Sequence, residues 1–278
     1  MSKGVCLTAQ NTDYVDYVEQ AYFLAGSIKY FNPDIPVSVV TNDKVPTKYK
    51  KMFDKIIKIP FGDSAKKSNW KIENRWKVFY ASPYDETIVM DTDCLVLFDL
   101  NEAFAKYKNK ELLFLTSSST YRRDTVTSDY YRKTFTSNNL PNIYTGMFYF
   151  KKTKDTATFF EHLNLIFDNF NAFYDIFCKE NYPKQQSMDV NVAIASLLHP
   201  NLECTDTTLD INFVHMKPMI QHWKSEIPEN WCDGDNFFVT NDLEVFIHNH
   251  KQSGILHYVE KEFLNNEIKE TLQEIFKC

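Results

Sequence analysis

Two carboxylates, Asp91 and Asp93, stand one residue apart in the stretch Ile88-Val89-Met90-Asp91-Thr92-Asp93-Cys94-Leu95-Val96-Leu97-Phe98. Carboxylates this close repel each other and are costly to desolvate unless positive charge sits between them. A divalent cation would supply it, since Mg²⁺ and Mn²⁺ take hard oxygen ligands, commonly a few carboxylates together with substrate phosphates. The plainer reading of an Asp-x-Asp is a solvated acidic turn. The flanks weigh toward the metal: residues 88–90 are too few for a helix and read as a buried strand, and a second apolar run follows the acids at once. A strand ending in carboxylates presents them where open α/β sheets hold their ligands.

The elements that must position this pair follow from periodicity. Residues 5–7 read as a strand, 8–13 as a polar turn, and 14–30 as a helix, with Val15, Val18, Tyr22, Ala25 and Ile28 near helical spacing. Asn32-Pro33-Asp34 stops that helix, and residues 37–40 form a second strand. Strand, helix, strand implies a right-handed βαβ unit and a parallel sheet. Residues 55–59 add a shorter strand. Residues 70–80 are predicted helical, with Lys71 and Arg75 sharing a face that can look toward the acidic turn or simply be solvated. A short helix at 101–108 and a strand at 112–115 follow. Residues 116–139 are polar and irregular, as in a lid or binding loop.

Beyond that loop, residues 144–150 read as a strand whose Gly146 admits close approach of backbone or ligand. Residues 159–177 form an aromatic helix. Residues 187–194 read as a helix opening with Ser187 as its expected N-cap, and Asp189 falls in its first turn, where the macrodipole favours a carboxylate. Strands at 211–215 and 245–248 and a helix over 259–276 complete the chain. His248 is the first polar residue to emerge from the last strand, with His250 on the same side while the chain stays extended. Lys251 and Gly254 follow.

Composition bounds the function. The 278 residues suffice for one large α/β domain or two small ones, and 44% hydrophobic content allows a sizeable core. Six glycines, none in a Gly-x-Gly-x-x-Gly or Gly-Lys-Ser/Thr pattern, argue that phosphate is held by metal and lysine rather than by a glycine loop. A net charge of −6 disfavours nonspecific nucleic-acid binding. The six cysteines lack zinc-pair spacing and are expected to be reduced thiols. With no signal peptide and no apolar run near the roughly 18 residues of a membrane span, the chain is expected to be soluble and cytoplasmic.

Taken together, these segments resemble a GT-A-fold glycosyltransferase, and within that fold the family-eight transferases, which include glycogenin and bacterial lipooligosaccharide galactosyltransferases. The resemblance is carried by Thr8, Asn11 and Asp13-Tyr14, similar to the family's nucleotide-base turn. It is carried also by Asp91-Thr92-Asp93, similar to its metal-binding Asp-x-Asp, by Thr145-Gly146 on the acceptor side, and by Asp189 and Asn191 at a helix start facing the sugar. His248 resembles the late metal-ligand histidine, ahead of His250 and His215. The chain departs from the family at Tyr144, where an Asn is usual, around Asp189, where an Asp-Gln pair is usual, and after His248, where a Gly, Lys, Pro, Trp run is replaced.

The resemblance implies an α/β fold with a Rossmann-like, mixed but mostly parallel sheet flanked by helices. It implies one domain over 1–278, its nucleotide-binding part about 1–100 and its acceptor side about 101–278. It further implies transfer of a sugar from a nucleoside diphosphate sugar, most simply a UDP-sugar, with Mn²⁺ or Mg²⁺ as cofactor. Asp91, Asp93 and His248 would hold the metal, with Asp91 also reaching the ribose. Thr8, Asn11 and Tyr14 would line the base, Lys71, Arg75 and Lys251 would face the phosphates, and Asp189 and Asn191 would act at the sugar. A nucleotidyltransferase and a non-catalytic sugar-nucleotide-binding module are the alternatives. The acceptor is not legible.

Overall fold

A computed structural model describes residues 1–126, 132–206, 211–217, 220, 231–232 and 236–277 of the chain. Strand β1 (Lys3–Thr8), helix α1 (Tyr17–Phe31) and β2 (Val37–Val40) form the expected βαβ unit, β2 lying parallel to β1. Helix α1 starts at Tyr17 because Asp16 caps it, accepting from the Glu19 N–H at 2.9 Å. Next come α2 (Thr47–Lys50), β3 (Lys55–Ile57), α3 (Val78–Ala81), β4 (Glu86–Met90), β5 (Cys94–Leu97), α4 (Leu100–Tyr107) and β6 (Leu112–Leu115). They are followed by α5 (Lys133–Ser137), β7 (Tyr144–Lys151), α6 (Lys154–Asp168), α7 (Phe170–Phe177), α8 (Met188–Leu198), β8 (Thr205–Asp206) and β9 (Phe213–His215). The last elements are β10 (Phe237–Val239), β11 (Val245–Ile247), β12 (His250–Lys251), β13 (Gly254–His257) and α9 (Asn266–Ile275).

The central sheet has the order β3-β2-β1-β4-β7-β6-β8, and β7 alone runs against the rest. It is therefore mixed and mostly parallel, as expected. Both faces are buried, so side chains alternate between two cores: Val5, Leu7, Ile88 and Met90 point into one, and Cys6 and Val89 into the other. Helices α1, α4 and α9 cover the first face, and α3, α6, α7 and α8 the second. Asn32 ties the layers' edge, its amide accepting from the Leu100 N–H at 2.7 Å and donating to the Phe98 carbonyl at 3.2 Å. Buried Cys6, Cys94, Cys178 and Cys204 are unpaired thiols. Among the described residues no helix is long and apolar enough to cross a membrane.

A second, three-stranded sheet, β5-β13-β9, was not foreseen. Strand β13 runs antiparallel to β5 and parallel to β9, and its register sets His257 opposite both Cys94 and His215. The predicted last strand at 245–248 is real as β11, but it belongs to a separate hairpin sheet, β10-β11-β12. Gly254 opens β13 with φ at +79°, and a Cβ there would collide with the Asn212 backbone.

Two predicted helices are shorter than their apolar spacing suggested. Residues 70–74 are turns, Arg75–Lys77 a single 3₁₀ turn, and only α3 is α-helical. The cause is Lys77, whose buried ammonium collects the Gly62 carbonyl, the Ser64 hydroxyl and the Asn74 amide oxygen at 2.7, 2.9 and 2.7 Å. Ser68 meanwhile bonds both backbone groups of Trp70, competing with a helix. The predicted helix at 259–276 begins only at Asn266, since Val259 takes φ +61° and Asn265 caps α9 by accepting from the Ile268 N–H. Of the predicted lid, residues 127–131 lie outside the described residues. Its first part is tied to β9, with Ser119 donating to the Phe213 carbonyl at 2.9 Å and accepting from the His215 N–H at 3.0 Å.

Candidate active site

From β1 the chain runs outward through β2 and β3, then returns as β4 on the other side of β1. That reversal opens a crevice at the strands' carboxyl ends, the usual ligand position in such sheets. Thr8 ends β1, and Asp91 follows β4, its N–H donating to the Gly146 carbonyl of β7 at 2.9 Å. Asp93 lies two residues on, where β5 begins.

Each carboxylate meets a cation of the chain itself. Arg75, delivered by the 3₁₀ turn, ion-pairs with Asp91. Lys261 reaches Asp93 Oδ2 at 2.5 Å, and His257 Nε2 stands 3.3 Å from Oδ1. Burial alone would raise the Asp93 carboxyl, but His257 and Lys261 outweigh it and hold the group well below the usual carboxylate range. Behind His257, its Nδ1 lies 3.1 Å from His215 Nδ1. Burial, then the neighbouring His257, push His215 well below the ordinary histidine value, so it sits there as neutral imidazole.

Two concavities meet at Asp91, Arg75, Trp70 and Ile72. The first, about 390 Å³, is lined by Thr8, Gln10, Tyr17, Lys71, Asp93 and Lys261. The second, about 190 Å³, is walled by Tyr144, Gly146, Asp189, Phe213, His215 and His257. Asp189 is held at both oxygens: Arg132 donates to Oδ2 at 2.8 Å, and the Thr145 N–H and hydroxyl donate to Oδ1 at 3.0 and 2.6 Å. A larger hollow of about 790 Å³ between Phe135, His199 and Cys204 contains none of the predicted residues.

Thr8, Lys71, Arg75, Asp91, Asp93, Gly146 and Asp189 are thus brought together. Lys71 and Arg75 do not share a helical face, since Lys71 donates to the Ala65 carbonyl at 2.8 Å. The other predicted residues are placed elsewhere. Asn11 caps the approach to α1, accepting from the Val18 N–H at 3.0 Å. Tyr14 is 88% exposed, and the tyrosine on the cleft wall is Tyr17. Asn191 is fully buried, accepts from the Tyr174 hydroxyl at 2.9 Å, and lines neither concavity. His248 occupies the β11–β12 turn at φ +52°, beside the Tyr121 ring, and lines neither concavity. Lys251 pairs with Glu244 within the same hairpin sheet.

The late histidine on Asp93 is instead His257, and the late lysine is Lys261. Neither was singled out from the sequence. Ile255-Leu256-His257 after Gly254 is a short apolar run delivering a polar residue, the same signal that marked residues 88–91. Among the described residues, Asp93, Cys94 and His257 offer ligand atoms within 4.8 Å of one another. Burial, and the Asp93 charge next, push the Cys94 thiol far up, so it stays protonated. The donor set suited to a hard cation is therefore Asp93 and His257, with Asp91 beside them.

Gly146 makes this arrangement possible. A Cβ there would stand 2.6 Å from the Phe213 ring and 3.3 Å from His257 Nδ1. Gly146→Ala is expected to lower stability by about 1–3 kcal/mol, the usual range for overpacking, measured by urea denaturation.

No protein-family model matches the chain, and no curated protein matches its sequence. Solved structures do match. The galactosyltransferase LgtC, in complex with donor and acceptor sugar analogs, superposes at a TM-score of 0.51 and 12% identity over 98% of this chain and 95% of LgtC. An active-site mutant of LgtC superposes at 0.50, with 12% identity over 98% and 94%. GlyE of Streptococcus pneumoniae TIGR4 is a looser likeness, at a TM-score of 0.49 and 13% identity over 99% of this chain, which spans 61% of GlyE. With its reversed β7, its crevice between β1 and β4, and these neighbours, the chain has the GT-A glycosyltransferase fold.

Proposed function

We propose that the chain is a metal-dependent glycosyltransferase, moving a sugar from a nucleoside diphosphate sugar, a UDP-sugar in the first instance, to an acceptor on the Asp189 side. One observation carries this reading. Asp91 and Asp93 stand at the end of β4, with His257 on Asp93, between a cleft bearing Lys71, Arg75 and Lys261 and a pocket bearing Asp189. LgtC, solved with donor and acceptor sugar analogs, supports the donor class. We read the whole chain as one GT-A domain, its first hundred residues mainly donor-side and the rest mainly acceptor-side, with His257 and Lys261 crossing between the two.

Asp93 and His257 would hold Mn²⁺ or Mg²⁺, with Asp91 adjacent. Bound there, the metal would supply Lewis-acid stabilisation of the leaving diphosphate. The chain adds positive charge beside the same leaving group through Lys71 and Arg75, with Lys261 in the same cleft. Thr8, Gln10 and Tyr17 line the wall left for the nucleoside. Asp189, kept anionic by Arg132 and Thr145, is placed to accept from sugar hydroxyls, and its pinned oxygens suit orientation of the sugar.

The test is a panel of sugar nucleotides incubated with Mn²⁺. Release of nucleoside diphosphate, abolished by chelator, is the expected result. Pyrophosphate release would mark nucleotidyl transfer instead, and binding without release would mark a sugar-nucleotide-binding module.

A further inference from the structure

We propose that Lys261 and a divalent cation compete for the Asp93 carboxylate, and that a diphosphate decides the competition by drawing the ammonium into the cleft. The idea rests on the metal site of the proposed function and adds how that site is controlled. Cation and diphosphate then bind cooperatively, each strengthening the other by the same factor.

The geometry of Asp93 sets up the competition. One of its oxygens carries Lys261 at 2.5 Å and the other faces His257 at 3.3 Å. A dication placed between Asp93 and His257 would share a single carboxylate with an ammonium, and the two like charges repel across a few ångströms of poorly solvated space. The Asp93 side chain is only 13% exposed, so water screens that repulsion weakly.

Lys261 is built to yield, and Arg75 is not. The lysine side chain is 31% exposed on a flexible four-carbon stem, and its Nζ lies 5.6 Å from the Tyr17 ring. Tyr17, Lys261, Lys71 and Arg75 line one cleft, so the ammonium can reach a diphosphate there by turning its stem alone. The backbone beneath it is fixed: the Tyr258 N–H donates to the Asp93 carbonyl at 3.0 Å, and Phe263 is fully buried. Between them Val259 takes φ +61°, a conformation that β-branched residues rarely adopt, and this turn places Lys261 over Asp93. Arg75 emerges from a 3₁₀ turn with its ion pair to Asp91 at the junction of both concavities, which leaves Lys261 as the movable cation.

The experiment measures Mn²⁺ affinity by electron paramagnetic resonance, with no sugar nucleotide present, for wild type, Lys261→Met and Lys261→Arg. It then repeats the titration with uridine diphosphate. Lys261→Met is expected to bind Mn²⁺ alone at least about fivefold more tightly than wild type, the lower end of ordinary coupling between sites. Lys261→Arg, which keeps the charge, should bind no more tightly than wild type. Uridine diphosphate should raise the Mn²⁺ affinity of wild type by a larger factor than that of Lys261→Met. Equal or weaker Mn²⁺ binding by a folded Lys261→Met, with binding retained in wild type, overturns the competition and leaves the metal site standing. If none of the three binds Mn²⁺ even with uridine diphosphate, the metal-dependent reading falls, and the competition with it. Should Lys261→Met unfold in a thermal melt, Lys261→Gln takes its place.

Discussion

Alanine in place of His257 is expected to lower Mn²⁺-dependent release of nucleoside diphosphate by about 100-fold or more, while alanine in place of His248 leaves it near wild type. The magnitude follows from what metal ligands are worth, since even the partners that merely orient a ligating histidine account for about 10–100-fold. His257 stands 3.3 Å from Asp93, on a strand paired on both sides, with its other nitrogen 3.1 Å from His215. His248 sits in a turn beside Tyr121. Initial rates of the two variants at one saturating Mn²⁺ concentration, with melting curves to show that both fold, decide the matter. An inactive His248→Ala beside an active His257→Ala would reverse the assignment.

Arg132→Met is expected to destabilise the fold by about 3 kcal/mol, the lower end of the range for breaking a buried ion pair, because Asp189 keeps some contact with solvent. For a chain of this length that is a fall in Tm of about 6–12 °C by calorimetry. Arg132 is 8% exposed and holds three groups at once: Asp189, the Asn142 amide oxygen at 2.6 Å, and the Ile143 carbonyl. Its guanidinium also lies 4.0 Å from the Phe135 ring centre and 4.2 Å from that of Tyr144.

The pH dependence separates charge from packing. Burial alone would raise the Asp189 carboxyl, and Arg132 and Thr145 hold it below its ordinary value. A carboxyl depressed by folding contributes stability that is complete above its unfolded pKa, about 3.9, and is lost as pH falls through the folded value. The deficit of Arg132→Met should therefore be widest at neutral pH and narrow below about pH 4. Urea denaturation at both pH values checks this, and a constant deficit would mean that Arg132 acts by packing alone.

Legibility in the sequence tracked how local each signal was. The βαβ unit was readable because α1 and its flanking strands each carry their own periodicity. Asp91 and Asp93 were readable because the apolar run directly before them forms the end of β4. His257 was not, since β13 has only four residues and its identity as a strand depends on β5, some 160 positions earlier. His248 ends an equally apolar run, and nothing local distinguishes a hairpin strand from one that pairs beside the carboxylates. Residues 70–80 looked helical by spacing, and the buried Lys77 ammonium that unwinds them acts through Gly62 and Ser64, beyond any helical period. Arg132 lay in a polar stretch with no periodicity at all, and its partner Asp189 is 57 residues away.

The second sheet joins segments that leave the ribosome at very different times. Strand β5 ends at Leu97, β9 at His215 and β13 at His257. A growing chain can have built β1 to β4 and exposed both carboxylates long before the histidine and lysine that complete the pair have been translated. Such long-range pairings also form late, because loop closure must precede them. On the proposed reading, a polypeptide still under synthesis would carry the acidic half of the site without the rest, and competence to transfer would arrive only once β13 and Lys261 emerge.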